Sequence, residues 1–237
     1  VNYNFSLQRA IEWANKLSKP LLIFEPMTID YPMASIRFHK FAIEGMQDIQ
    51  KQTEKSKAFY FPYVEEKKGI ADKLLIELAK NAAVVITDDY PTYFVPQMTA
   101  EAKGSIQTTY ELVDSNGLLP IRIAEKEYVR AHDFRRFMHK NIEDFLVEVP
   151  EKDPLEYLNL KFDEKLLEPI FKKYELVDFN KVNTQDFLNN LNVDKSVEIS
   201  DVVGGYNAAK SRLDLFAKKG FNDYSKLRSH PSEDASS

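Results

Sequence analysis

The sequence predicts an α/β protein: a Rossmann-like parallel five-stranded sheet flanked by helices, followed by a linker and the first helices of an all-α domain. Three observations predict it. Short apolar runs of strand length alternate with amphipathic runs of helix length through residue 114. After residue 120 the strand-like runs stop, and amphipathic helical patterns take over. The alternation also opens on a helix, whereas the first strand of a doubly wound sheet is usually central, so the fifth strand is expected upstream of Val1. The corresponding division is an α/β domain at 1–123, a connecting helix and linker at 124–163, and the start of a helical domain at 164–237.

Taken in order, residues 6–18 place Leu7, Ala10, Ile11, Ala14 and Leu17 on one helical face, and Pro20 ends that helix. Leu21-Leu22-Ile23-Phe24 is a continuous apolar strand of the kind covered on both faces. Residues 35–52 form a helix whose stripe is Ile36, Phe38, Phe41, Ala42, Met46 and Ile49. Ala58–Phe61 is the next strand, and residues 70–81 the next helix, with Ile70, Leu74, Leu75 and Leu78 inward. Ala83–Thr87 is the clearest strand; a helix near 95–104 and a weaker strand at Tyr110–Val113 follow. Strands joined by helices of this length imply right-handed crossovers and parallel pairing. Beyond them, 124–146 reads as one long helix, 147–163 as a linker with Pro150 and Pro154 among acids, and Gly204-Gly205 as a break before a helix. That last helix places Tyr206, Ala209, Leu213 and Phe216 on one side.

Composition narrows the function. The net charge of −5 argues that any DNA-binding surface with a basic excess lies mainly elsewhere, because phosphate contacts dominate such affinity. With no cysteine there is no disulfide, thiolate metal site or cysteine nucleophile. The four histidines lack ligand spacing, so no metal is expected. No run approaches a membrane span, and neither a GxGxxG nor a P-loop is present. A cytoplasmic monomer is expected. Asp88 and Asp89 follow the strongest strand, where α/β sheets bind ligands; the alternative is that one caps the next helix and the other is solvated. Arg130, Arg135, Arg136, His139 and Lys140 form a basic cluster. With Glu125, Glu127, Asp133, Glu143 and Asp144 nearby, it reads as a solvated, salt-bridged face.

The C-terminal stretch carries Gly204-Gly205-Tyr206, then Leu213 and Phe216, then Tyr224 and Arg228, and finally Pro231-Ser232-Glu233-Asp234-Ala235-Ser236-Ser237. This order resembles the start of the flavin domain of DNA photolyases, most of all the class II cyclobutane pyrimidine dimer photolyases. Twelve residues separate Tyr224 from Ser236, similar to the spacing of the tyrosine and hydroxyl residue that hold flavin phosphate in that family. The stretch from Glu125 to Arg135, EKEYVRAHDFR, is similar to a class II helix that follows the α/β domain.

The resemblance implies FAD as cofactor, bound mostly downstream of Ser237, with Tyr224, Ser236 and Ser237 as flavin contacts. It implies light-dependent repair in which an electron from excited reduced FAD splits cyclobutane pyrimidine dimers, and UV-damaged DNA held by a C-terminal domain beyond residue 237. No catalytic residue falls within this stretch, which alone is expected to be inactive. An antenna chromophore stays open, because Pro91-Thr92-Tyr93-Phe94 replaces the family's basic residue after the third strand. The alternatives are a cryptochrome-like photoreceptor or divergent non-repairing relative and, on Asp88 and Asp89, an α/β nucleotide-binding module unrelated to light.

Overall fold

A computed structural model describes residues 1–181, 184–230 and 232. Its first half alternates helix and strand as the periodicity requires: α1 (Phe5–Leu17), β1 (Leu22–Met27), α2 (Ile36–Thr53), β2 (Phe59–Val64), α3 (Ile70–Ala79), β3 (Val84–Asp88), α4 (Val95–Ser105) and β4 (Thr109–Val113). The helix ends have local causes. Asn4 caps α1 by accepting the Leu7 N–H at 2.6 Å, and Ser18 stops it in the left-handed region at φ 52°.

The strands form two parallel pairs, β1 with β2 and β3 with β4. In the second pair Val84 lies opposite Thr109 and Asp88 opposite Val113. In the first, Phe59 N–H donates to Leu21 and Glu65 N–H to Met27, each about 3 Å long and joining residues equally far apart in sequence, the mark of parallel pairing. The fold is therefore mixed α/β with short parallel strands.

The chain divides into two compact units, neither of them contiguous. The first comprises Val1–Phe24, Lys55–Phe59 and Gly69–Glu175; the second comprises Glu25–Glu54, Tyr60–Lys68 and Leu176–Ser237.

In the first unit α1 buries Ile11 and Ala14 against Leu158. Its outer side is tied to β4 through Glu111, which accepts from Arg9 Nε at 2.5 Å and from Trp13 Nε1 at 2.7 Å. The stretch expected to be a linker is instead a strap over α1. Pro154 and Leu158 are buried. Asn15 Nδ2 donates to the Tyr157 carbonyl at 2.8 Å, and Asn15 Oδ1 accepts from Asn159 N–H at 2.9 Å. Lys57 Nζ closes it by donating to the Leu158 carbonyl.

The long helix expected over 124–146 is shorter. Only α5 (Ala131–Asn141) is α-helical, flanked by 3₁₀ turns at Ile121–Ile123 and Ile142–Phe145. Tyr128 explains the late start. Its ring lies 5.6 Å from Phe134 and 5.3 Å from Phe137, contacts at i+6 and i+9 that a straight helix cannot make. The chain turns back before Arg130, which is extended at φ −116° and ψ 131°. Past the strap, a short α6 (Glu168–Phe171) is fixed to α3 by Glu77, which accepts from Lys173 and from the Tyr174 hydroxyl.

The second unit is built on α2 and α7 (Thr184–Asn190), around Ile36, Ile43, Met46, Val64, Phe179, Leu188 and Leu191. The buried face of α2 runs Ile36, His39, Ile43 and Met46, whereas Phe38 and Phe41, expected inside, lie opposite and are each 50% exposed. A polar histidine takes the inner position because its ring nitrogens face the Ser35 and Thr28 carbonyls at 3.0 and 3.2 Å while the ring stacks on Tyr31. The unit ends in α8 (Tyr206–Leu215), a π-turn at Phe216–Gly220 and a short α9 (Tyr224–Leu227).

Candidate functional site

Three places carry the residues singled out from sequence. The first is the carboxyl end of β3 and β4. Asp88 accepts from Ser6 Oγ at 2.6 Å, and Ser6 N–H in turn donates to Ser115 Oγ at 2.9 Å. Asp89 is held by Arg122 in a two-pronged ion pair: Nη2 donates to Oδ1 at 2.7 Å and Nε to Oδ2. The Arg122 hydrogen bond holds the Asp89 carboxyl below the usual aspartate range. Neither aspartate caps α4, whose N-cap is Phe94 without a side-chain bond. Both carboxylates are thus engaged within the protein. The partners Ser6 and Arg122 stand 82 and 33 residues from their aspartates, separations no local motif records.

The second place is the C-terminal segment. Gly204 sits where a Cβ would fall 2.0 Å from the Phe41 carbonyl oxygen, so only glycine permits the backbone to lie on α2. Gly205 is at φ +98°, a region glycine enters without strain. Asp48 on α2 then caps α8 from outside, accepting the Asn207 N–H at 2.8 Å, and Glu44 accepts the Gly204 N–H at 2.8 Å. This explains physically why the glycine pair precedes a helix.

Further on, Tyr224 is 38% exposed and meets the Phe216 ring edge-on at 5.6 Å. Arg228 lies over the Tyr224 ring at 5.9 Å. Among the described residues no hydrogen bond engages the Tyr224 hydroxyl and no ion pair engages Arg228. A phenol and a guanidinium side by side, both open to solvent, suit a phosphate oxygen. Ser236 and Ser237, the other two expected flavin contacts, lie outside the described residues.

The third place is α5. His132, Arg135, Arg136, His139 and Lys140 are all exposed, while Phe134, Phe137 and Met138 are half-buried on the other side. The expected salt-bridging is nearly absent. Among the described residues only His132 and Asp133 approach, at 3.6 Å, with both side chains largely exposed.

Two further groups were invisible to motif reading. In the second unit Glu25 accepts from the Tyr60 hydroxyl at 2.6 Å. Burial pushes the Glu25 carboxyl up, and burial together with Glu25 pushes the Tyr60 phenol up. A hollow of about 230 Å³ beside α1, lined by Gln8, Glu12, Asn15, Glu151 and Tyr157, is smaller than ordinary cofactor clefts. Among the described residues no group of three or more His, Asp or Glu could hold a metal ion, and no helix is long and apolar enough to cross a membrane.

Parallel strands with crossover helices, followed by a helical segment with the Gly-Gly, Tyr and Arg of the sequence pattern, define an α/β protein with an appended helical part. Comparison with known proteins gives that class a more particular relative. No family model matches the chain. Over 231 residues, 97% of its length, the chain is 26% identical to the deoxyribodipyrimidine photo-lyase of Methanothermobacter thermautotrophicus. The chain spans 47% of that relative's length. The similarity extends over nearly the whole chain, and it supports membership of the photolyase/cryptochrome family.

Proposed function

We propose that this chain is the front half of a light-dependent DNA-repair flavoprotein, a photolyase of the cyclobutane pyrimidine dimer type. The observation that carries the reading is similarity along almost the whole chain to a deoxyribodipyrimidine photo-lyase of about twice the length. The Tyr224–Arg228 pair supports it, because its open hydroxyl and guanidinium suit the phosphates of FAD. When bound, FAD supplies the excited electron donor for dimer splitting. In this reading Tyr224, with Ser236 and Ser237, holds one end of the cofactor, and residues past 237 hold the rest and the flipped dimer.

The finer architecture belongs to the same proposal: an α/β domain at 1–123, a connecting segment at 124–163, a helical domain beginning at 164, and a fifth strand upstream of Val1. The burial of β3 favours that strand. Val84, Val85 and Ile86 are as apolar as an interior strand should be, yet only half-buried. Parallel strands are normally covered on both faces and paired on both edges.

The test is the full-length protein purified in the dark. It should be yellow with FAD, and light should restore dimer-containing DNA. A colourless product that cannot take up FAD would defeat the reading. A flavoprotein that leaves dimers intact would favour a cryptochrome-like photoreceptor.

A further inference from the structure

We propose that the exposed face of α5 is a DNA-backbone contact in the front half itself, in addition to the surface expected downstream. The inference rests on the repair reading above. It starts from spacing. His132, Arg135, Arg136, His139 and Lys140 follow the spacing i, i+3, i+4, i+7, i+8, so they form one mesh on a single side of the helix. Phe134, Phe137 and Met138 occupy the opposite side and are half-buried, the two phenylalanines in a ring cluster with Tyr128. The difference in exposure shows which side faces outward.

The charge on that side is uncompensated. Asp133 is the one acid within α5, and it lies at the margin beside His132. Arg135, Arg136 and Lys140 have no ion pair among the described residues. On an acidic chain of net charge −5, three cations without an ion pair therefore stand together on one helix face. Long cationic side chains left unpaired in one strip are arranged for an anionic partner rather than for stability, since neighbouring like charges repel.

The dimensions favour a nucleic-acid backbone. From His132 to Lys140 the helix rises about 12 Å, at 1.5 Å per residue. One DNA strand carries a phosphate about every 3.4 Å of axis, so the strip matches three or so phosphates in a row. The two arginines can grip phosphate oxygens in two-pronged fashion. The contact is sequence-independent: it positions the duplex and selects no base.

The test uses the full-length protein and UV-irradiated duplex DNA. A variant carrying Arg135→Gln, Arg136→Gln and Lys140→Gln is compared with the wild type across a salt series. A control carrying Lys103→Gln, Lys161→Gln and Lys165→Gln removes the same charge from exposed positions elsewhere in the first unit. Each lost phosphate contact lowers the slope of log affinity against log salt by about 0.9, so the α5 variant should lose about 2 to 3 in slope and the control nothing. At saturating DNA the light-dependent reversal rate should stay unchanged, because the proposed reading assigns the flavin to Tyr224, Ser236, Ser237 and residues past 237.

Equal slopes for wild type and α5 variant would overturn the inference, as would an equal loss in the control. A drop in thermal stability without a change in slope would show instead that the face packs on the downstream half. Should the triple variant fail to fold, single Arg135→Gln and Arg136→Gln variants should each take about one unit of slope, and Arg→Lys replacements should restore most of it; a single variant with no change would be equally fatal. Failure of the repair reading looks different, because the wild type itself would then neither reverse dimers nor prefer irradiated DNA.

Discussion

Gly204 is the glycine whose added Cβ would make the closest contact. An added Cβ meets backbone rather than a movable side chain. Gly204→Ala should therefore cost about 1–3 kcal/mol, seen as a lower denaturation midpoint at unchanged slope. Two carboxylates make opposite predictions with pH. Arg122 depresses the pKa of Asp89 in the folded state. The stabilisation from that pair is present above the unfolded value of 3.8 and is lost as pH falls through the folded value. Arg122→Ala should thus be less stable than wild type at neutral pH, with the gap closing only below 3.8. Glu25 is raised by burial, so folding disfavours its charged form as pH climbs above 4.5. Glu25→Gln keeps an oxygen for the Tyr60 hydroxyl and should be more stable than wild type at neutral pH, the gain vanishing in acid; a loss at neutral pH would refute it.

At the scale of elements, the first half was legible because apolar periodicity reports burial directly. All eight helices and strands through β4 lie close to their expected places. What failed had a tertiary cause. The extent of α5 depends on Tyr128 folding back over Phe134 and Phe137, which no window of helical periodicity registers. His39 replaced two phenylalanines on the buried face of α2 because carbonyls from Ser35 and Thr28 receive it. In the candidate site, spacing located Tyr224, but the engagement of Asp88 and Asp89 with distant Ser6 and Arg122 could not be read locally. Since α2 holds the second unit together, Ile43, which is 0% exposed, is its most sensitive position. Ile43→Ala should cost about 2–5 kcal/mol, measured by chemical denaturation, whereas Phe41→Ala on the exposed side should cost far less.

At the scale of the whole chain, the second unit draws Val177, Phe179, Phe187, Leu188 and Leu191 from its last segment. A chain cut after Glu175 should leave Ile43 and Met46 uncovered, and their helix should lose amide-exchange protection while α1 keeps its own. Protection of α2 persisting in the cut chain would contradict the division. The non-contiguous course of both units also bears on how the protein is made. Residues 25–54 emerge from the ribosome more than a hundred residues before the segment that completes their core. Until then the apolar face of α2 has no native cover, and Asp48 has no helix to cap. Nascent chains paused between these points should be the ones chaperones bind, and slowing translation there should cost soluble yield without altering the finished protein.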